Sequence, residues 1–321
     1  MALTLKQIHD MAIAIGRKQD PRPAKEIEAV LSQHKEQYEK MNKKKKECFD
    51  KERLVNPYLD TRVLYGTPTT SIKSMMACID VGPAELLLAN TLREKGTAID
   101  MVLSHHPEGR ALADLAQVMR VQDTISEELG ISPNIAEKLM NKRMGVIDRA
   151  VHPINHYQAV DTARLLGIPF MCCHTPADNC VHDFLVNFIN KNQKKWRTIE
   201  DFMNALLEIP EFFEGEKMGA GPKIFLGSKD SKLGKIAVTG MTGGTSGSED
   251  IYEHYSHAGV GTLVQMHISE KHRENAEKHH LNIVITGHIP SDSLGLNLLL
   301  DPIEKKGVKI IPASGFIRVK R

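Results

Sequence analysis

Histidines and carboxylates follow three apolar runs of this sequence, at the points where strands would end. The run MVLS leads into His105 and His106, FMCC leads into His174 and then Asp178, and IVITG leads into His288 and then Asp292. In open α/β sheets ligands bind outside the carboxyl ends of the strands, where loops converge on a rigid edge. The pattern therefore predicts a metal site with five ligands: His105, His106, Asp178, His288 and Asp292.

The adjacent histidines favour two ions over one. Consecutive side chains of a regular strand point to opposite faces, so neighbouring histidines do not readily chelate a single ion. Pro107 biases His106 toward an extended conformation, which lets the two imidazoles splay toward two ions. In each later motif the carboxylate lies four residues after the histidine, on the same side of a turn or helix start. A bridging carboxylate or water would then hold two divalent ions about 3.5 to 4 Å apart.

Two further side chains are candidates for proton transfer. Asp80 follows the apolar run SMMACI and precedes a helical stretch, so it either caps that helix or serves the site. His174 is either a ligand or an outer partner that orients a ligand, and it is the second candidate for this chemistry. Other histidines lie in or beside the polar segment HISEKHRENAEKHH and are expected to be solvated: His267, His272, His279 and His280.

The glycine-rich segment TGMTGGTSGSED joins an apolar run to a helical stretch. Its glycines, at positions 240, 243, 244 and 247, free the backbone for close approach to an anion. The segment matches neither the dinucleotide-binding fingerprint nor the P-loop. A tight structural turn is therefore an equal alternative to an anion site.

Composition excludes several classes of protein. Of the 321 residues 41% are hydrophobic and 26% charged, and the formal net charge is +2, which gives no general reason to expect nucleic-acid binding. No apolar run approaches the roughly 18 to 20 residues that span a bilayer, and the start MALTLKQIHD is not typical of a signal peptide. The five cysteines show no zinc-type CxxC pairing. We therefore expect a reduced, cytoplasmic protein without membrane or nucleic-acid partners.

From residue 73 onward, short apolar runs alternate with amphipathic helical stretches, which predicts the α/β class. Residues 1–62 are predicted to be a charged helical extension, either solvated or docked on a neighbour, although its lysines at 43–46 could contact phosphates. Residues 63–321 would form the core. This core divides into an N-terminal half (63–190) with a helical insertion (108–150), a bridge (191–223) and a C-terminal half (224–321). The insertion would be either a lid on the site or a packing or oligomer contact.

The sequence resembles the Nif-three-like family, widely described as homologues of GTP cyclohydrolase I type 2 with a dinuclear metal centre. The resemblance runs from about Tyr65 to the C-terminus and rests on IDVGPAELLLANTLREKGTAIDMVLSHHP, CCHTPADN, TGMTGGTSG and TGHIPSD. It implies two similar α/β halves with mixed sheets, a metal site between them and a toroidal homohexamer.

By motif position, the resemblance makes His105 and His106 the paired ligands and Asp178 a bridging or chelating acid. It makes His288 and the acid four residues later the C-terminal pair. The family usually has glutamate at this last position, and Asp292 is one methylene shorter.

These observations favour a metal-dependent, cyclohydrolase-like hydrolase of a small molecule such as a nucleotide. Two divalent ions, of zinc, iron or manganese, would activate a water for attack on a carbonyl, ring carbon or phosphorus atom. No residue is assigned to an organic cofactor. The alternative is a non-catalytic metal-binding oligomeric scaffold or regulator, because fold and ligand set alone do not exclude it.

Overall fold

Short apolar runs form the strands of the computed structural model, which describes residues 2–321. The strands are β1 (Leu3–Thr4), β2 (Arg62–Tyr65), β3 (Ser71–Ile72), β4 (Ser74–Cys78), β5 (Met101–Ser104), β6 (Phe170–Cys172), β7 (Lys223–Leu226), β8 (Lys235–Val238), β9 (Val260–Gln265), β10 (Asn282–Ile285) and β11 (Lys309–Ala313).

The amphipathic stretches form the helices. They are α1 (Leu5–Lys18), α2 (Ala24–Lys40), α3 (Lys43–Cys48), α4 (Pro83–Glu94), α5 (Gly109–Ala113), α6 (Leu115–Val118), α7 (Val121–Glu128), α8 (Pro133–Val151), α9 (Gln158–Leu166), α10 (Thr175–Asn192), α11 (Ile199–Leu206), α12 (Pro210–Lys217), α13 (Tyr252–His257), α14 (Glu270–Lys278) and α15 (His288–Glu304). Short 3-10 turns occupy Lys51–Leu54, Gln193–Lys195 and Glu249–Ile251. Among the described residues, no helix has both the length and the apolar character needed to cross a membrane.

The two halves are built around two mixed sheets, and the first sheet takes its edge strand β11 from the C-terminal end of the chain. The first sheet has the strand order β11-β4-β5-β6-β2, and the second has the order β7-β10-β9-β8. In both, the strands run parallel except for one antiparallel edge strand, which is β2 in the first sheet and β7 in the second. The inner strands read as continuous apolar runs because helices cover both faces, and every residue of β4 is buried. The predicted α/β fold with two similar halves is confirmed.

Helices α10 and α15 pack against each other between the two sheets. Ala177 of α10 and Leu296 of α15 belong to the apolar core of the first sheet. Val181 and Leu294, from the same two helices, belong to the core of the second sheet. Both helices are therefore shared walls that join the halves.

Helix α1 is part of the first core, which differs from the solvated or docked arm that the sequence suggests. Leu5, Ile8 and Ala12 are fully buried against that core because their spacing places them on one face of the helix. Asn179 of α10 donates a hydrogen bond to the carbonyl of Gly16, which fixes the end of α1. The expectation of exposure does fit α3, the lysine-rich helix, which has no buried residue.

The helical insertion packs on the C-terminal half. Ile131, between α7 and α8, and Ala136 of α8 share an apolar cluster with Tyr252 and Leu263, so this part of the insertion is anchored to the second sheet and its helices. Two side chains of the insertion also donate hydrogen bonds to the glycine-rich segment, as described below. The insertion is therefore better described as a packing contact than as a free lid.

His182 on α10 makes the fold sensitive to acid. Its ring is buried and its Nδ1 has no hydrogen-bond partner within residues 2–321. Burial lowers the pKa of His182 from 6.5 to about 4, although Asp20 opposes the shift. Because the folded-state pKa is depressed, the buried histidine stays neutral and does not lower the free energy of unfolding above pH 6.5. As the pH falls from 6.5 toward 4, the unfolded chain takes up a proton that the folded protein does not bind, so the free energy of unfolding decreases.

We predict that His182→Leu removes this loss, which for the wild type amounts to about 2 kcal/mol at pH 5. Urea unfolding of both proteins at pH 7 and pH 5 measures the difference, with the exposed His257→Leu as the control. Equal losses in wild type and His182→Leu would contradict the prediction.

Candidate metal centre

Strand ends from both sheets deliver the candidate ligands to one place. His105 and His106 follow β5, and their amides donate to the carbonyls of Cys78, the last residue of the neighbouring strand β4, and of Ile79. From the second sheet, the chain turns at Gly287 between β10 and α15. Gly287 has a φ of +93°, and a Cβ there would overlap the carbonyl oxygen of Ala220, so only glycine fits this turn. The turn places His288 at the first position of α15.

The five predicted ligands lie in one cluster. Nε2 of His105 is 3.4 Å from Oδ1 of Asp178 and 3.5 Å from Oδ1 of Asp292. Nε2 of His106 and Nε2 of His288 each lie 3.4 Å from Oδ2 of Asp292. Together with His174 they form three overlapping groups whose ligand atoms lie within 4.8 Å of one another: His105, His106 and His174; His106, His288 and Asp292; His105, Asp178 and Asp292.

The donor atoms of this cluster fit a divalent cation. His105 Nε2, Asp178 Oδ1 and both carboxylate oxygens of Asp292 are buried, and none has a hydrogen-bond partner within the described residues. Buried polar atoms are nearly always paired, so this concentration of unpaired atoms needs an explanation. Two ligands at about 2.0 to 2.1 Å from a tetrahedral ion lie about 3.3 Å apart. The separations of 3.4 to 3.5 Å match that value and are long for hydrogen bonds.

Asp292 is placed to bridge two positions. Its Oδ1 faces His105, whereas its Oδ2 faces His106 and His288. The side chain is 1% exposed, so water cannot replace these contacts freely. Asp292, although one methylene shorter than glutamate, therefore still contacts histidines on both sides of the cluster.

Hydrogen bonds on the far side of each imidazole turn Nε2 toward the cluster. His105 Nδ1 lies 3.1 Å from the carbonyl oxygen of Cys173, and His106 Nδ1 lies 2.6 Å from Oδ1 of Asp80. Such outer partners fix the tautomer and orientation of a metal-binding histidine. Asp80 thus holds His106. The capping interpretation of Asp80 is wrong, because Gly82 is the N-cap of α4 and its amide donates to Glu85.

Asp60 is the outer hydrogen-bond partner of His174, and no sequence pattern predicts this role. Its Oδ2 lies 2.9 Å from Nδ1 of His174 and accepts a hydrogen bond of 2.6 Å from the hydroxyl of Thr175. The carboxylate is fully buried. Asp60 lies in a loop before an edge strand, where no sequence motif indicates its contact with α10.

We predict that Asp60→Asn lowers metal affinity by about tenfold, because His174 is then poorly oriented beside Asp178, a candidate ligand whose Oδ2 lies 3.7 Å from Nε2 of His174. Competition with a chromophoric chelator measures the affinity. Asp230→Asn, on an exposed loop, serves as the matched control. Unchanged affinity in Asp60→Asn would show that His174 is not coupled to the metal.

The buried Asp292 carboxylate favours the charged form of the adjacent histidines. Burial disfavours a charged His105, yet Asp292 and Asp178 raise its pKa to about 10. Burial likewise opposes charge on His106, but Asp292 and Asp80 raise its pKa to about 9. Burial would raise the pKa of Asp292, and His105 and His106 instead hold it well below its usual range. The cluster therefore demands positive charge, which divalent cations would supply in exchange for protons.

A cavity of about 260 Å³ lies over the cluster, and His267 lines it beside His106 and His288. The ring centroids of His267 and His288 are 4.8 Å apart, and burial lowers the pKa of His267 to about 4. The expectation of a solvated His267 is therefore wrong, as it is for the buried His272, whose Nε2 donates to the carbonyl of Gly247. The sequence does indicate a place for His267 at the site, because it follows the apolar run GTLVQM and so also lies at a strand end.

Comparison with solved structures identifies a superfamily at 30% sequence identity. A NIF3 superfamily protein from Sphaerobacter thermophilus is 30% identical with a TM-score of 0.71, over 80% of this chain and 91% of that one. Reduced HcgD from Methanocaldococcus jannaschii is 13% identical with a TM-score of 0.46, over 78% of this chain and 87% of that one. A Bacillus cereus protein related to NIF3 is 12% identical with a TM-score of 0.43, over 81% and 92%. The last two align too loosely to inform the site. No protein-family model and no curated protein matches the chain.

Proposed function

Because this chain belongs to the NIF3 superfamily, we propose that its histidine and aspartate cluster holds two divalent ions and hydrolyses a small molecule such as a nucleotide. The observation that carries the proposal is the buried Asp292 carboxylate, whose two unpaired oxygens face different histidines. Mixed imidazole and carboxylate ligands suit zinc, iron or manganese.

The ligands divide into two sets that share Asp292. His105, Asp178 and Oδ1 of Asp292 would hold one ion, and His106, His288 and Oδ2 of Asp292 would hold the other. The two ions would supply Lewis acidity and lower the pKa of a water nucleophile.

The remaining side chains would position groups and move protons. Asp80 is a positioning residue, because its carboxylate accepts from Nδ1 of His106. His174 lines the cavity, and its Nε2 is 3.7 Å from Oδ2 of Asp178. With Nδ1 held by Asp60, His174 is our candidate for proton transfer to or from the substrate. Leu112 and Leu115 of the insertion form an apolar wall that would limit water around the reacting atoms.

Turnover by protein loaded with zinc, manganese or ferrous iron tests the proposal. The panel comprises nucleoside triphosphates, pterin precursors and phosphoesters, each with and without chelator. We expect turnover of one class, abolished by chelator and by His106→Ala but retained by the exposed His257→Ala. Full metal loading with no turnover, or turnover unaffected by His106→Ala, would count against a hydrolase.

We also propose that the chain forms a homohexamer. Exposed apolar side chains support assembly, since Leu87, Leu88 and Leu165 are 53%, 47% and 75% exposed in the single chain. Light scattering should give six times the chain mass of 35.8 kDa.

A non-catalytic metal-binding scaffold is the second candidate, because the ligands come from both halves and bound ions would cross-link them. Metal binding without turnover, together with a lower free energy of unfolding after chelation, would favour it.

A further inference from the structure

The glycine loop, residues 240–247, forms one wall of the cavity above the cluster and has unsatisfied backbone amides. Met241, Thr242 and Gly243 are buried. Nevertheless, no amide N–H of residues 240–244 donates a hydrogen bond to any acceptor within residues 2–321. Buried backbone amides are nearly always paired, by protein, by water or by a ligand. The loop therefore offers a group of donors to whatever enters the cavity.

Two side chains of the helical insertion fix the orientation of this loop. Gln122 Nε2 donates to the carbonyls of Gly243 and Thr245 at 3.0 and 2.6 Å. Arg143 Nε donates to the carbonyl of Ser246 at 3.0 Å. In a trans peptide the following N–H points opposite to the carbonyl, so the amide of Gly244, a residue that lines the cavity, points away from the Gln122 side chain. Gly243 and Gly244 both have a positive φ, +85° and +81°, which glycine adopts without strain.

The surroundings of the loop suit an anion that also reaches the cluster. Gly240, Thr242 and Gly244 line the same cavity as His106 and His288. The hydroxyl of Thr242 already donates to Oδ1 of Asn179 at 2.6 Å, so the additional hydroxyl donor at the cavity is that of Thr245. The acidic residue that lines this cavity is Asp178, whose carboxylate faces His105, another candidate metal ligand. An anion at the loop would therefore meet amide and hydroxyl donors and lie within one cavity of the proposed reaction site.

We propose that the glycine loop binds a phosphate group of the substrate, which is accordingly a phosphorylated small molecule. A phosphate monoester presents three strong acceptor oxygens to several converging donors, whereas a carboxylate presents two oxygens. The reaction of that substrate rests on the proposed function, but the binding of phosphate by the loop does not.

Hydrogen exchange in the wild-type, metal-loaded protein tests the loop directly, with inorganic phosphate as the probe. We expect phosphate to slow amide exchange in residues 240–247 by about tenfold or more, because each hydrogen bond to a charged group contributes strongly. Phosphate that binds with no change in loop exchange would show an anion held by the metal ions alone. That result, or no phosphate binding, would overturn the proposal.

Gln122→Glu tests the positioning of the loop, because it replaces two donated hydrogen bonds by repulsion between oxygens at nearly constant shape. We expect a phosphate affinity at least about tenfold weaker with unchanged metal content. Gln117→Glu, an exposed change on α6 of the same insertion, should behave like wild type. If Gln122→Glu does not fold, Gln122→Met removes the donors without repulsion. Equal phosphate affinity in the folded Gln122 variant and Gln117→Glu would overturn the proposal, whether or not any variant shows turnover.

Discussion

Asp292→Asn is expected to abolish tight metal binding, whereas His288→Ala should retain one of the two proposed ions. The reason is that Asp292 faces His105 with one oxygen and His106 and His288 with the other, whereas His288 contributes to one set. Loss of an outer partner already weakens metal sites by about 10- to 100-fold, so loss of a shared ligand should exceed that range. Elemental analysis after metal loading and desalting gives the stoichiometry.

Two exposed substitutions, Asp230→Asn and His257→Ala, control for general effects of removing a charge or an imidazole. Thermal unfolding of the metal-free proteins shows whether the variants remain folded. One full equivalent of metal in Asp292→Asn would mean that its carboxylate serves a single ion, and the shared-ligand arrangement would be wrong.

Gly295→Ala should destabilise the fold and also lower the metal content, although residue 295 is not a ligand. A Cβ at this position would overlap the carbonyl oxygen of Ala177 and lie 3.0 Å from its carbonyl carbon. Because the obstacle is backbone, α10 and α15 must separate, and they carry Asp178 and Asp292. We expect a loss of about 1 to 3 kcal/mol in the free energy of unfolding.

Urea unfolding and elemental analysis of the same samples measure both effects of Gly295→Ala. The matched control is Gly145→Ala in the interior of α8, where the nearest atom to the new Cβ is the flexible Arg149 side chain. This control should be neutral or more stable by up to about 1 kcal/mol. Full metal content in a destabilised Gly295→Ala would show that the spacing of the two helices does not govern the site.

The candidate ligands were predictable because their placement follows from local pattern. His105 and His288 each come directly after an apolar run, and parallel strands present their carboxyl ends at one edge of a sheet. The sequence also indicates that β10 belongs to an α/β unit. It does not show that the ends of two separate sheets face each other, which depends on how α10 and α15 pack between them.

Two features could not be read from local pattern. Asp60 contacts His174 across the fold, and nothing within the segment PYLDTR marks that partner. The apolar face of α1, with Leu5 and Ile8, is visible in the sequence, but an amphipathic helix can bury that face on its own core or on a neighbouring molecule. The charged residues that follow it led to the expectation of an arm that is either solvated or docked on a neighbour, whereas α1 packs against α10 of its own chain.

The shared position of α10 and α15 also bears on the lifetime of the folded protein. The candidate ligands come from strand ends and helices of both halves, so a chain in which one half alone is ordered offers only part of the coordination set. Cations that bind only when the two halves are packed together stabilise the native state. They do not stabilise partly ordered forms or the transition state for folding. Metal supply should therefore govern how slowly this protein unfolds far more than how quickly it folds.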